Sequence, residues 1–382
     1  MFSLEDNKRV LKIKRLKGGD DLRSEEEREY YCKLSDNELK ISLKNPHVIQ
    51  YFCNISNITK EIPVGNYFMY KKRVSKRGKD NIPKGEIFKF DFKETLDKIE
   101  EIEYKPRGPR PSTTLHLGQL KLFLSTFQFL LRYVRGETVV IYPGSAPGLN
   151  IELLTELFPD VFWYLYDPRP FYERLKINKR VKISRKLFED SDVEELVKKL
   201  RGKYVLMISD IRRNETLEEL IDDDNRLHIR WIERLKPAYS QLKFRIPRLR
   251  DNNGEIIDEY NYLDGMIYLQ YYARHTSTET RLVVDGSNIR YKKYSLGEYE
   301  NRLYNFNRNY RSSIYPGVVD IRCLDNCYDC IGFKLLCKEY IDNNKSEYDL
   351  EELINLIIKR VPSVSIRVCK HYESIKRSIK KN

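Results

Sequence analysis

Two lysines and two carboxylates, Lys121, Asp210, Lys243 and Glu279, stand where a proton could be moved. Asp210 closes the apolar run VLMISD, Lys243 lies in SQLKFRIP, Glu279 in STETRLVV, and Lys121 in the periodic run LGQLKLFL. A charged residue taken singly is most often solvated; Asp210 is the strongest of the four because it terminates a fully apolar strand. A lysine takes a proton from a hydroxyl when burial or a neighbouring cation depresses its pKa. A second lysine can supply that cation, and two acids can hold both amines and keep the site near neutrality. Such a set suits methyl transfer from a sulfonium to a ribose hydroxyl, where the electrophile is already activated and a base is the missing part.

A second constellation lies upstream. The run ETVVIYPGS leads into Tyr142-Pro143-Gly144-Ser145-Ala146-Pro147-Gly148, with the helical pattern IELLTEL just after. Two glycines flanking small residues let backbone approach a ligand closely. About twenty residues on, VFWYLYD ends in Asp167, where an acid can accept from both hydroxyls of a ribose. A dinucleotide fold wants G-x-G-x-x-G so that a pyrophosphate can rest on the helix N-terminus. The loop here is G-S-A-P-G, with proline inside it, and suits a nucleoside ligand without phosphate. A plain tight turn is the alternative.

These residues need elements to position them. Leu120, Phe123, Leu124, Phe127, Leu130 and Leu131 recur at three- and four-residue steps, the mark of an amphipathic helix. ETVVIYPGS, VFWYLYD and KYVLMISDI read as buried strands, with a further strand-like run around RVKISRKLF, alternating with the helical stretches IELLTELF, DVEELVKKL and TLEELIDDDNRLHIRWIERL; SQLKFRIP and ETRLVVDG read as later strands. Strands alternating with helices imply an α/β fold with a mostly parallel sheet, whose ligand lies beyond the carboxyl ends of the strands. The candidate residues fall at those ends. The pattern divides the chain into an N-terminal extension or accessory domain over 1–105, a core domain over 106–310 and a C-terminal helical region over 311–382. The proline-rich break YKPRGPRPSTT separates the first two, and the basic tail IKRSIKKN ends the third.

The chain has 382 residues, 41% of them apolar, enough to bury a core. Its 70 Lys and Arg against 57 Asp and Glu leave a net charge of +13, which favours polyanionic partners, above all nucleic acid. No apolar run is long enough to cross a membrane, and MFSLEDNKRVLKIKR lacks a signal-peptide pattern, so an intracellular setting is expected. Seven cysteines in uneven places argue against a disulfide framework. Cys323, Cys327, Cys330 and Cys337 cluster, but the last two flank the apolar run IGFKLL, so buried thiols are favoured over a zinc site.

LGQLKLFL, VVIYPGSAPG, WYLYDPR, VLMISDIR, LKPAYSQLKFRIP and YARHTSTETRLV, in this order over roughly residues 104 to 300, resemble the poxvirus-type cap-specific mRNA nucleoside-2′-O-methyltransferase family, whose members also serve as poly(A) polymerase small subunits. The resemblance implies a Rossmann-like class I fold using S-adenosylmethionine, and methylation of the ribose of the first transcribed nucleotide of capped mRNA. Within it Lys243 is the general base, Asp210 orients it, and Lys121 and Glu279 complete the network. Gln119, Tyr142, Gly144, Gly148, Asp167 and Arg169 match the cofactor pattern. Tyr104 and Glu300 resemble one stacking aromatic and one acid of the cap site, and Arg281 is grouped with them as RNA-binding. The second aromatic is missing: Arg248 stands at its approximate place, leaving Phe244 or Tyr239 as substitutes, or a different recognition. No catalytic metal is expected. A poly(A) polymerase catalytic subunit is an implied partner, and the infected cell's cytoplasm or a virion the implied setting.

Three rivals are weighed. A non-catalytic RNA-binding subunit of a poly(A) polymerase fits the charge but leaves the tetrad idle. An FtsJ-like ribosomal RNA methyltransferase shares the tetrad but not the segments around Lys243 and Glu279. A dehydrogenase is opposed by the loop and by five histidines without a strand-end motif.

Overall fold

A computed structural model describes residues 99–105, 118–213, 217–273, 277–311, 328–344 and 346–361. Most of the expected N-terminal extension, the proline-rich break from residue 106, Cys323, Cys327 and the basic tail lie outside them.

Helix α1 (Gly118–Tyr133) forms where the apolar positions recur, and it fully buries Leu120, Phe123, Leu124, Phe127 and Leu130. Strand β1 (Thr138–Pro143) follows, buried along its whole length, because helices cover both faces of this part of the sheet. Then come α2 (Leu149–Leu157), β2 (Val161–Tyr166), the short α3 (Glu173–Lys176), β3 (Val181–Ser184), α4 (Asp190–Lys199), β4 (Tyr204–Ser209), α5 (Glu218–Leu235) and β5 (Tyr239–Phe244). A β6 (Glu259–Leu263), β7 (Met266–Tyr268), β8 (Thr280–Asp285) and β9 (Tyr291–Ser295) precede α6 (Leu296–Asn305). A π-helical turn (Phe306–Tyr310) continues α6, and α7 (Tyr328–Asn344) and α8 (Leu350–Arg360) complete the described residues.

The seven-stranded sheet runs β3-β2-β1-β4-β5-β8-β7, and β6 with β9 form a separate antiparallel ribbon. Strands β1 to β5 pair in parallel, whereas β8 pairs antiparallel with both β5 and β7. This is the mostly parallel α/β sheet expected from the alternation, Rossmann-like as the resemblance implies, with a reversed strand wedged beside β5. Chain direction changes between β3 and β4: right-handed crossovers therefore set α2 and α3 on one face and α4 and α5 on the other. The order reverses between β1 and β4, so the connections leaving their carboxyl ends pass to opposite faces and leave a crevice outside the strand ends. Reversal of β8 brings Lys243 opposite Arg281 in the ladder. The same reversal sets Glu279, just before β8, at the carboxyl end of β5.

Candidate active site

The first wall of the crevice is the loop after β1. Gly144 has φ +77°, and a Cβ there would meet the Asp210 carbonyl carbon and the Ile211 nitrogen at 2.8 Å each. Only a glycine lets the β1 and β4 termini approach this closely. The approach is tied by Asp210 N–H donating to the Pro143 carbonyl at 3.1 Å, and on the other side Gly144 N–H donates to the Tyr166 carbonyl of β2 at 2.8 Å. Gly148, at φ +76°, is the cap of α2, and a Cβ there would overlap Leu175.

Asp167 is 4% exposed and sits just past β2. Its two oxygens accept from the Arg169 fork at 2.9 and 2.8 Å, from Arg169 N–H at 3.0 Å and from Ala146 N–H at 3.2 Å. It thus braces the β1 loop as well as offering a carboxylate to a ligand. Near the same end, Gln119 Oε1 and Ser145 Oγ are buried with no hydrogen-bond partner among the described residues. Buried polar atoms left this way are rare, and one reading of them is a missing ligand. Tyr142 is buried under the crevice, its hydroxyl pushed above the usual range by burial and by Asp210. A buried acid, free polar side chains and a loop without the dinucleotide glycines fit a nucleoside carrying an amino acid rather than a pyrophosphate.

The second wall holds the four charged residues, and the structure brings all four together. Lys121 Nζ lies 3.0 Å from Glu279 Oε1, and Lys243 Nζ lies 3.3 Å from Glu279 Oε2 and 3.7 Å from Asp210 Oδ1. Glu279 also accepts from Gln270 Nε2 at 2.9 Å. Burial by itself would protonate Glu279, but Lys121, Lys243 and Arg281 hold its carboxyl well below the ordinary value. Asp210 is likewise lowered against its burial, by Lys243 and then Arg281.

Arg281 is placed differently from the expectation. It does not lie with Tyr104 and Glu300: it is 2% exposed, and its guanidinium reaches Asp210 Oδ1 at 2.7 Å and Glu279 Oε1 at 3.9 Å. Its Nε donates to Gln270 Oε1 at 3.1 Å. The network is therefore three cations around two acids. Alternation along the reversed β8 decides this, and nothing in the local pattern shows that TRLV runs antiparallel beside Lys243. Gln270, which ties Arg281 to Glu279, follows β7 and carries no local signal of its role.

Lys243 also departs from the depressed pKa expected of it. Burial lowers its pKa, as do Arg281 and Arg212, but Asp210 and Glu279 outweigh them and hold the amine above the ordinary lysine value. Its ammonium form is thereby favoured.

Tyr104 and Glu300 do come together. Tyr104 N–H donates to Asn301 Oδ1 at 2.9 Å, and its ring meets Tyr304 edge-on at 5.6 Å, which seats it against α6. Arg248, from the loop after β5, lies between them. Its guanidinium carbon is 5.0 Å from the Tyr104 centroid, and its fork takes Glu300 at 3.1, 3.3 and 2.8 Å. Both aromatics named as substitutes are packed against other rings. Phe244 is fully buried and stacked on Tyr262. Tyr239 begins β5, at the opposite end from Lys243, and packs on Tyr133 at 4.2 Å.

Of the four clustered cysteines, two are described. Cys330 Sγ lies 3.3 Å from the Tyr272 hydroxyl, and burial pushes the Cys337 thiol well up, which opposes the thiolate that a zinc site requires. No described helix is long and apolar enough to cross a membrane.

The family model for the Poly A polymerase regulatory subunit matches residues 90–379. A cap-specific mRNA (nucleoside-2′-O-)-methyltransferase of Myxoma virus (strain Lausanne) is 31% identical over 241 residues, covering 57% of this chain and 70% of its own length. The protein of that name from Fowlpox virus (strain NVSL) is 30% identical over 243 residues, covering 59% and 76%.

Proposed function

Since the chain belongs to the poly(A) polymerase regulatory subunit family, we propose that it methylates the ribose 2′-hydroxyl of the first transcribed nucleotide of capped mRNA, with Lys243 as general base. The observation that carries this reading is the placement of Lys243 Nζ between Asp210 and Glu279, beside the loop of Gly144. The viral relatives' name supports the reaction class.

Gln119, Tyr142, Gly144, Gly148, Asp167 and Arg169 would hold S-adenosylmethionine. When bound, it supplies a methyl group activated on a cationic sulfonium. The chain's own task is the proton. A ribose hydroxyl is far too weak an acid to ionise at neutrality, so its O–H bond must break toward a base as the oxygen attacks. Lys243 Nζ takes that proton when it is itself neutral, and the ammonium formed is held by Asp210 and Glu279. Lys121 anchors Glu279 from the helix side. Arg281 lowers the amine's proton affinity by its own charge. Tyr104 and Glu300 would hold the cap base by its face and edge.

A second role on the same chain, as regulatory subunit of a poly(A) polymerase, is favoured by the family's name and by the basic surplus. The infected cell's cytoplasm or the virion is the proposed setting, in line with the viral relatives.

The test is transfer of labelled methyl from S-adenosylmethionine to short RNAs with an N7-methylated cap, an unmethylated cap or a 5′-triphosphate, beside Lys243→Ala. Label on the first 2′-oxygen, absent in the variant, is expected. RNA binding without transfer to any substrate would move the chain to the regulatory role alone.

A further inference from the structure

The aromatic face of Tyr104 and the carboxylate of Glu300 are both engaged from within the chain. A guanidinium is flat and cationic, and offers a carboxylate parallel N–H donors. The Watson–Crick edge of guanine offers the same pair through N1–H and the exocyclic amine, and an N7-methylated guanine adds the positive charge. Arg248 thus engages the same two residues that such a base would: it binds both Glu300 oxygens and lies against the Tyr104 ring, whose hydroxyl it also meets. Its Nη2 sits 2.8 Å from Glu300 Oε2, its Nε 3.1 Å from Oε1, and its carbon 5.0 Å from the ring centroid.

The occupant is tethered yet removable. The Arg248 backbone is pinned by its N–H donating to Glu218 Oε2 at 2.8 Å, and Glu218 is itself paired with Arg245. The Arg248 side chain is 32% exposed, so it has solvent to swing into, whereas the Glu300 side chain is 8% exposed and stays put. Burial of Glu300 makes a partner for it obligatory.

We infer that Arg248 is an internal stand-in for the base: it occupies the Tyr104–Glu300 clamp when no cap is present and must be displaced before a cap can enter. This rests on the reading of Tyr104 and Glu300 as the cap clamp. The device keeps a buried carboxylate paired in the free protein and reduces apparent cap affinity by the fraction of molecules in which Arg248 is in place. It also excludes bases that cannot offer two donors, because they would leave Glu300 unpaired once Arg248 has left.

Calorimetric titration of the full chain with N7-methylguanosine triphosphate tests this. Arg248→Ala should tighten binding by up to about fivefold, the scale of a partly exposed ion pair. Arg248→Lys should tighten it too, because an ammonium cannot hold both Glu300 oxygens in plane. In the unaltered chain, the Arg248 Nε–H should lose exchange protection as the ligand saturates. Weaker binding in Arg248→Ala, or an Arg248→Lys affinity equal to the unaltered chain's, would overturn the stand-in: the first makes Arg248 a direct ligand of the base, the second a mere repelling charge. Tyr104→Ala in the Arg248→Ala background separates the two layers. If it abolishes binding while Arg248→Ala alone has gained nothing, the clamp stands and the stand-in falls. If it leaves binding intact, the clamp is elsewhere and both fall.

Discussion

Lys243 on β5 and Arg281 on β8 face each other across an antiparallel ladder, and both reach the same Asp210 oxygen, at 3.7 and 2.7 Å. A cation in that position competes with the lysine for the carboxylate and disfavours its protonated form. The base is thus poised between two acids that raise its pKa and a buried arginine that lowers it.

The methyl-transfer rate should therefore rise with pH from neutrality toward the alkaline range, because Lys243 is held above the ordinary lysine value and only its neutral form accepts a proton. A single-turnover pH profile checks this. A rate flat above pH 7 would mean that Lys243 is already neutral when substrate is bound.

Removing Arg281 should move the profile further alkaline. Arg281→Gln deletes a charge that lowers the pKa of Lys243, so at neutral pH less of the amine is free to accept a proton. Each step of about 1.4 kcal/mol in that balance lowers the neutral fraction roughly tenfold. Raising the pH should recover much of the lost rate, which a misfolded variant would not do.

Glu279→Gln should shift the profile the other way, since a charge that raises Lys243 is gone. It also leaves Lys121, Lys243 and Arg281 facing Asp210 alone, and should cost roughly 3 kcal/mol of stability by denaturant titration, the scale for breaking a buried pair. The carboxylates' folded pKa values are depressed, so their stabilisation is present above the unfolded value of about 4 and is lost as pH falls through the folded values. The unaltered chain should thus lose this contribution in acid, and Glu279→Gln should lose less of it.

Gly144→Ala should lower stability by about 2–4 kcal/mol, because φ is positive and the new Cβ would strike the Asp210–Ile211 backbone just past β4. Loss of S-adenosylmethionine binding should accompany the drop in melting temperature. Gly254→Ala is the control for backbone conformation alone, with φ +82° and nothing within 4 Å of the added carbon.

Asp167→Asn should weaken S-adenosylmethionine by roughly one to two orders of magnitude, the scale of losing charge-assisted hydrogen bonds to a ligand. Equilibrium dialysis measures it. Unchanged affinity would leave Asp167 as a loop brace only, since it already accepts from Arg169 and Ala146.

Local pattern carried the parallel half of the sheet. Each of β1, β2 and β4 is a short apolar run between helix-period stretches, and Asp167 and Asp210 are legible because an acid ends such a run; β3 and β5 are mixed in polarity and read only as strand-like. Lys121 falls on an identifiable helix and Lys243 on an identifiable strand. The β6–β9 ribbon and β7 were not legible: their residues are largely charged or half-exposed, and short strands that bury little have no distinct period.

The sequence alone therefore determined the alternation, the crevice at the strand ends and the residue types that could line it, because burial periodicity and turn chemistry are local properties. Only the tertiary structure decided which charges share the crevice. Reversal of β8 sends Arg281 inward to Asp210 and Glu279, and the loop after β5 lays Arg248 on Tyr104 and Glu300. Both outcomes are set by strand direction and by contacts between distant segments. Coulomb energies there depend on separations of a few ångströms that no one-dimensional pattern encodes.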